Sequence, residues 1–294
     1  MNYLLLTFND IMQSQILYFG EHQKEACREI CNRLKINNMP AIDSKNYYLL
    51  DDSEGGRFKK YPIEDVNRVD VNKRIFEQDL IDQFRRNDHN VVFVFEGDIM
   101  QGIVHICDYN NEIVLQNIQD DILRFERNLR TLLMLSGFTN KSVMEYLQYK
   151  AKKSSFYAGR YEFYENKHNQ MSQLGEFQLF DFSLLLNFSN STKSQKCFPT
   201  KGSDGRKLST LRNLAMHGKD IVSQDRDSSI YSIESLIDFF NDLTLLQTYS
   251  NELIYQIRNH PEYIETLEID NRKKLEIIHT HRPEALQYFL GGRV

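Results

Sequence analysis

Apolar positions along this chain change their spacing near residue 120, and the change predicts two structural regimes. Before that point short helical and strand patterns alternate. His22 to Asn37 places Ala26, Ile30, Leu34 and the cysteines Cys27 and Cys31 at helical spacing. Met39-Pro40 stops that helix, because the residue before a proline avoids the α region, and Ala41-Ile42 begins a short strand. Tyr47 to Leu50 predicts another strand, with a turn in the segment that follows. A second helix, Ile75 to Asp88, would bury Ile75, Phe76, Leu80, Ile81 and Phe84. The unbroken apolar run Val91 to Phe95 predicts a well-buried strand, and Gly102 to Ile106 returns as its hairpin partner. The order helix, strand, turn, strand therefore occurs twice.

From about Asp120 the spacing becomes that of long helices. The first runs from Ile122 to Phe138, with Gly137 interrupting its end, and a second spans Lys141 to Lys152. Glu162 to Gln170 is polar and aromatic, and the strongly apolar Phe177 to Phe188 predicts a central bundle helix. Ser189 to Ser209, rich in Ser, Thr, Lys and Gly, reads as a loop. Ser232 to Arg258 predicts a closing helix, ended by Asn259-His260-Pro261. Glu262 to Val294 is a polar extension with one or two short helices. The predicted fold class is α+β: an α/β module over 1–117, an all-α helical bundle over 118–260 and an extension over 261–294.

Composition narrows the function classes. A chain of 294 residues, 41% hydrophobic and 26% charged, has the make-up of a soluble globular protein of two ordinary domains. No stretch approaches the ~18 consecutive apolar residues of a membrane span. The opening MNYLLLTFND has no basic n-region, which predicts a cytoplasmic protein. Four cysteines do not make a disulfide framework at this size, and Cys27 and Cys31 read as buried thiols rather than metal ligands. No motif here supplies a metal site, a Gly-rich phosphate loop, H-E-x-x-H or G-x-S-x-G.

The hexapeptide Arg212-Asn213-Leu214-Ala215-Met216-His217 concentrates the chemistry. At ~100° per residue Leu211, Leu214, Ala215 and Gly218 form one apolar or small stripe, and Asn213 and His217 neighbour each other away from it. Arg212 projects from the other edge of the outward face. Imidazole titrates near neutrality and guanidinium offers a fork of donors to phosphate oxygens, so the trio suits RNA, whose 2′-hydroxyl is its own nucleophile. One copy leaves Arg212 and His217 well apart around the helix, which predicts a homodimer that closes the site across a two-fold axis. The net charge of −5 opposes binding of a polyanion, but Lys193 to Lys219 carries seven cations against the single acid Asp204. Within that window Lys201, Arg206, Lys207 and Lys219 are the candidate RNA-binding residues.

This string is similar to the R-N-x-x-x-H signature of HEPN domains, with Leu before it and Gly after it. Ile122 to Phe138 resembles the long first helix of a HEPN bundle and Ser232 to Arg258 its closing helix. The resemblance implies metal-independent endoribonuclease action, with no cofactor required, at a site shared by two protomers, with Arg212, Asn213 and His217 catalytic and 2′,3′-cyclic phosphate ends as product. The N-terminal repeat, roughly residues 9 to 116, resembles a tandem CBS pair. GIVHICD is similar to that family's G-h-h-T-x-x-D ending, with Gly102 and Asp108 at the matching positions and His105 in place of Thr. That resemblance implies an adenine nucleotide as regulatory ligand, held by Asp108, His105 and Gly102. Two alternatives stand beside the regulated ribonuclease: a non-catalytic, nucleotide-sensing RNA-binding or dimerisation protein, and the toxin of a toxin–antitoxin pair.

Overall fold

In the computed structural model the described residues are 1–34, 36–51, 56–86, 90–167, 173–216 and 232–281. The fold is α+β, mostly helical, with two three-stranded sheets near the N-terminus. In chain order the elements are α1 (Phe8–Ile11), α2 (Lys24–Leu34), β1 (Asn38–Pro40), β2 (Asn46–Asp51), β3 (Arg57–Pro62) and β4 (Arg68–Asp70). There follow α3 (Gln78–Arg86), β5 (Val91–Glu96), β6 (Ile99–His105) and α4 (Glu112–Leu135). The helical remainder comprises α5 (Asn140–Ala151), α6 (Ser155–Glu165), α7 (Phe182–Ser189), α8 (Asp204–Met216), α9 (Ile233–Arg258) and α10 (Pro261–His281). No helix among the described residues is long and apolar enough to cross a membrane.

Two compact units divide these elements, and neither is consecutive in sequence. The first holds Met1–Ile122 with Thr210–Leu245, the second Leu123–Ser209 with Leu246–Val294.

In the first unit the predicted repeat is visible: α2–β1–β2 and α3–β5–β6 each run helix, strand, antiparallel strand. The sheets differ in their third strand. β3 joins antiparallel beyond β2, whereas β4 lies parallel to β5 on the other side of the hairpin. The first strand sits earlier than the Pro40 break suggests. It occupies Asn38–Pro40, an edge strand where a residue without an N–H is tolerated, and Ala41 already belongs to the turn.

All of Val91 to Phe95 is buried, as an unbroken apolar run requires. Tyr47 of the first sheet packs on Phe93 of the second, ring centroids 5.0 Å apart, and joins the core of β5 and β6. Cys27 and Cys31 are buried with Phe19, Met39 and Leu50 under the first sheet. A second cluster gathers residues distant in sequence: Phe76 and Tyr109 meet Phe240 of α9 at 5.3 and 6.1 Å.

The second unit is helical. Phe125 of α4 stands edge-on to Phe182 of α7 at 5.7 Å and to Phe198 at 5.9 Å, and Phe198 in turn meets Tyr249 of α9. The apolar run from Phe177 is helical only from Phe182. Phe177 has φ +65°, and Asp181 caps the helix by accepting the Leu184 N–H at 3.0 Å. Phe177 and Phe180 are nonetheless buried, as anchors of a turn. The periodicity does not predict α6, because its rings spread around the helix: Phe156 and Phe163 are exposed, Tyr157 and Tyr161 half-buried and Tyr164 buried.

Asp181 also binds Arg160, Tyr164 (Oη to Oδ2, 2.7 Å) and Ser183 (Oγ to Oδ1, 2.7 Å). Burial opposes its ionisation, but these donors outweigh burial and hold the carboxyl down to about 2. Its stabilising contribution is therefore complete above the ordinary carboxylate pKa, roughly 4, and is lost as pH falls through about 2. Because 43% of the side chain is exposed, solvent screening limits the contribution to about 1 kcal/mol. Thermal melts of wild type and Asp181→Asn should differ at neutral pH and converge between pH 4 and 2. A gap independent of pH would assign the effect to packing.

Candidate functional site

The hexapeptide lies at the C-terminal end of α8. Leu208, Leu211 and Ala215 are buried, at positions i, i+3 and i+7, and fix the inward face. Leu214 is only half-buried, so Leu208 rather than Leu214 completes the stripe. Asn213 is exposed and Arg212 half-buried. The adjacent Met216 Sδ accepts a 3.2 Å hydrogen bond from Gln119 Nε2 of α4. His217 and Lys219 lie outside the described residues. Lys201, Arg206 and Lys207 are exposed in and just before the first turn of α8, within the second unit. The preceding segment is tied down: the Lys201 N–H donates to Tyr249 Oη at 2.8 Å, and that hydroxyl donates to Asp204 Oδ2 at 2.8 Å. The segment thus holds the basic residues on an ordered base. On α9, Leu236, Phe240 and Leu243 are buried, whereas Ile233 and Ile237 are half-buried.

The structure brings Gly102, His105 and Asp108 together on β6 and the 3₁₀ turn Ile106–Asn110 that follows. Each has contacts within the chain. A Cβ at Gly102 would stand 2.9 Å from Met12 Cβ and 2.8 Å from its Sδ, so glycine allows the N-terminal segment to close on β6. The same segment pairs with the strand through the Gln13–Ile103 bridge. Asp108 Oδ2 accepts the His105 N–H at 2.7 Å, and Oδ1 accepts Gln13 Nε2 at 3.2 Å. Burial pushes the His105 imidazole down, with Asp108 opposing, and its Nε2 has no hydrogen-bond partner among the described residues. Burial thus favours the neutral form of the ring.

A cleft of about 460 Å³ opens between α3 and the turn before β4, lined by Asp65, Val66, Asp79, Asp82, Gln83 and Arg86. A neighbouring cleft of about 310 Å³ shares Asp65 and adds Asp70 beside Arg68. Carboxylates outnumber cations in both, which disfavours the phosphates of a nucleotide.

Because Asp108 caps a turn, its removal carries a structural cost without any ligand. Asp108→Ala should lower the unfolding free energy by about 1–2 kcal/mol in urea titrations, and Asp108→Asn, which keeps one acceptor, by less. An unchanged midpoint in Asp108→Ala would show that the two hydrogen bonds contribute nothing. No protein-family model, curated protein or solved structure matches this chain.

Proposed function

We propose that this protein is a HEPN-type endoribonuclease that cleaves RNA without a metal, by attack of the 2′-hydroxyl on the adjacent phosphate. The carrying observation is the arrangement of α8: Leu208, Leu211 and Ala215 go inward, Asn213 is exposed on the far side, and Arg212 stands half-buried at the edge between them. Arg212 would neutralise charge on the non-bridging oxygens, His217 would exchange the protons, and Asn213 would orient the imidazole or a sugar oxygen. Lys201, Arg206, Lys207 and Lys219 would hold the flanking strand. The long helices α4 and α9 on either side of the motif in sequence support the same reading, as does the half-buried edge of α9 at Ile233 and Ile237, which a second copy would cover.

The product ends test the chemistry. Cleavage should leave 2′,3′-cyclic phosphate and 5′-hydroxyl termini and persist in EDTA, with the active species a dimer by light scattering. Termini carrying 5′-phosphate, or activity abolished by the chelator, would refute the mechanism. A strictly monomeric active species would refute the shared site.

For the N-terminal module, the order β4–α3–β5–β6–α4 supports the CBS-like reading. Regulation by an adenine nucleotide rests on Asp108, and here one observation favours the scaffold alternative: both carboxylate oxygens already accept internal hydrogen bonds. Calorimetric titration with AMP, ADP and ATP separates the two. Heat of binding that Asp108→Asn removes supports a sensor, and no heat supports a scaffold.

A further inference from the structure

We propose that the α5–α6 hairpin of the second unit is a platform for single-stranded RNA, on which bases stack against Phe156 and Phe163 while Lys153, Lys167 and Lys193 hold phosphates. The hairpin repeats one device four times, an aromatic residue followed by a cation at i+4: Tyr146/Lys150, Tyr149/Lys153, Phe156/Arg160 and Phe163/Lys167. Each cation lies over its ring, at 5.7, 4.6, 5.6 and 4.2 Å from the centroid respectively. Phe156 and Phe163 are 64% and 51% exposed. Seven residues apart, they lie on one face of α6 about 10 Å from each other along the axis, far enough to take separate bases. Of the acids of this helix, Glu165 falls on the opposite side and Glu162 about 100° around from Phe163.

Charge selects the occupant. From Lys150 to Arg160 there are four cations and no acid, in a chain of net charge −5. Lys193 reaches in from the turn after α7 and stands 5.4 Å from the Tyr149 ring. The hydrogen bond from Lys153 Nζ to Tyr149 Oη, 2.8 Å, together with the charges of Lys153, Lys150 and Lys193, pulls that phenol below its ordinary value. Arg160 is held by Asp181 and serves to roof Phe156. Lys153, Lys167 and Lys193 make no ion pair with an acid among the described residues. A partner protein would be met by a continuous apolar stripe. Separate rings alternating with cations instead match a chain of bases and phosphates, the combination that recognises single strands without reading sequence.

The platform needs neither cleavage nor the hexapeptide, so it stands or falls apart from the nuclease reading. The test is fluorescence anisotropy of a labelled 12-nucleotide oligouridine titrated with the full chain carrying His217→Ala, which spares the probe if the protein is a nuclease and is the common background for every comparison. Phe156→Leu with Phe163→Leu preserves apolar volume and helix propensity but removes the stacking faces, and should weaken binding about tenfold or more. Lys153→Gln with Lys193→Gln should make the slope of log affinity against log salt shallower by about 1.4, at ~0.7 per phosphate. Affinity unchanged by the leucine pair, a slope unchanged by the glutamine pair, or no binding at low salt would overturn the proposal. Capture of a protein partner that the leucine pair abolishes, with RNA affinity unaltered, would overturn it too.

Discussion

Cleavage of RNA by the His217→Ala variant is expected to fall by about 10²–10⁴-fold, and by Arg212→Ala about 10²–10³-fold. The first figure is the usual worth of a positioned proton-transfer group, the second that of a donor aimed at charge developing in the transition state. Asn213→Ala should cost less, since an orienting amide is partly replaced by water. These losses should come without unfolding for Arg212 and Asn213, because Leu208, Leu211 and Ala215, not the polar face, anchor α8. Single-turnover cleavage with circular dichroism as the folding control reads both quantities. Equal rates for wild type and His217→Ala would remove the hexapeptide from catalysis. Equimolar mixing of Arg212→Ala with His217→Ala adds a sharper reading. A composite site would recover one intact half-site pair in mixed dimers, so activity well above either variant alone is expected.

The largest stability effect is expected at Tyr109. The side chain is fully buried, between Phe76 at 5.8 Å, Phe84 at 6.2 Å and Phe240 at 6.1 Å. Its hydroxyl donates to the Ile75 carbonyl at 2.7 Å, and burial alone pushes the phenol up far enough that it stays protonated. Tyr109→Ala removes the ring and leaves a cavity, for a loss of about 3–5 kcal/mol. Tyr109→Phe keeps the packing but orphans a buried carbonyl, for about 1–2 kcal/mol. Urea denaturation followed by fluorescence and circular dichroism together would give both values. A loss below about 1 kcal/mol for the alanine variant would mean that the cluster closes over the gap.

How far these features are legible in the sequence depends on how local their causes are. Val91 to Phe95 and the helix ending at Arg258 are legible because burial on both faces, or along one stripe, writes itself into consecutive residues. β3 is not, because Lys59 and Lys60 interrupt the alternation of a strand none of whose side chains is buried. The segment before α7 misleads in the other direction. Phe177 and Phe180 are as buried as helix residues, and periodicity registers burial rather than φ; only the Asp181 cap signals where the helix begins. At the candidate site, the adjacency of Arg212 and Asn213 follows from helix geometry. The engagement of Asp108 by Gln13, 95 residues away, follows from a chain crossing that no local pattern encodes. Phe156 and Phe163 stand away from the buried side of their helix, so the ordinary search for cores passes over them.

The aromatic cluster around Tyr109 also bears on how the protein could be dissected. Phe76 and Tyr109 find Phe239 and Phe240 more than a hundred residues later, in the same compact unit. A fragment ending near residue 117 would present those rings to water and lose the α9 carbonyl of Leu243 that receives the Tyr3 hydroxyl. During synthesis the first unit must therefore wait, incomplete, until almost the entire polypeptide has left the ribosome. On the nuclease reading, residues 210–216 of the motif helix belong to this unit, so the site would stay incomplete until most of α9 has emerged.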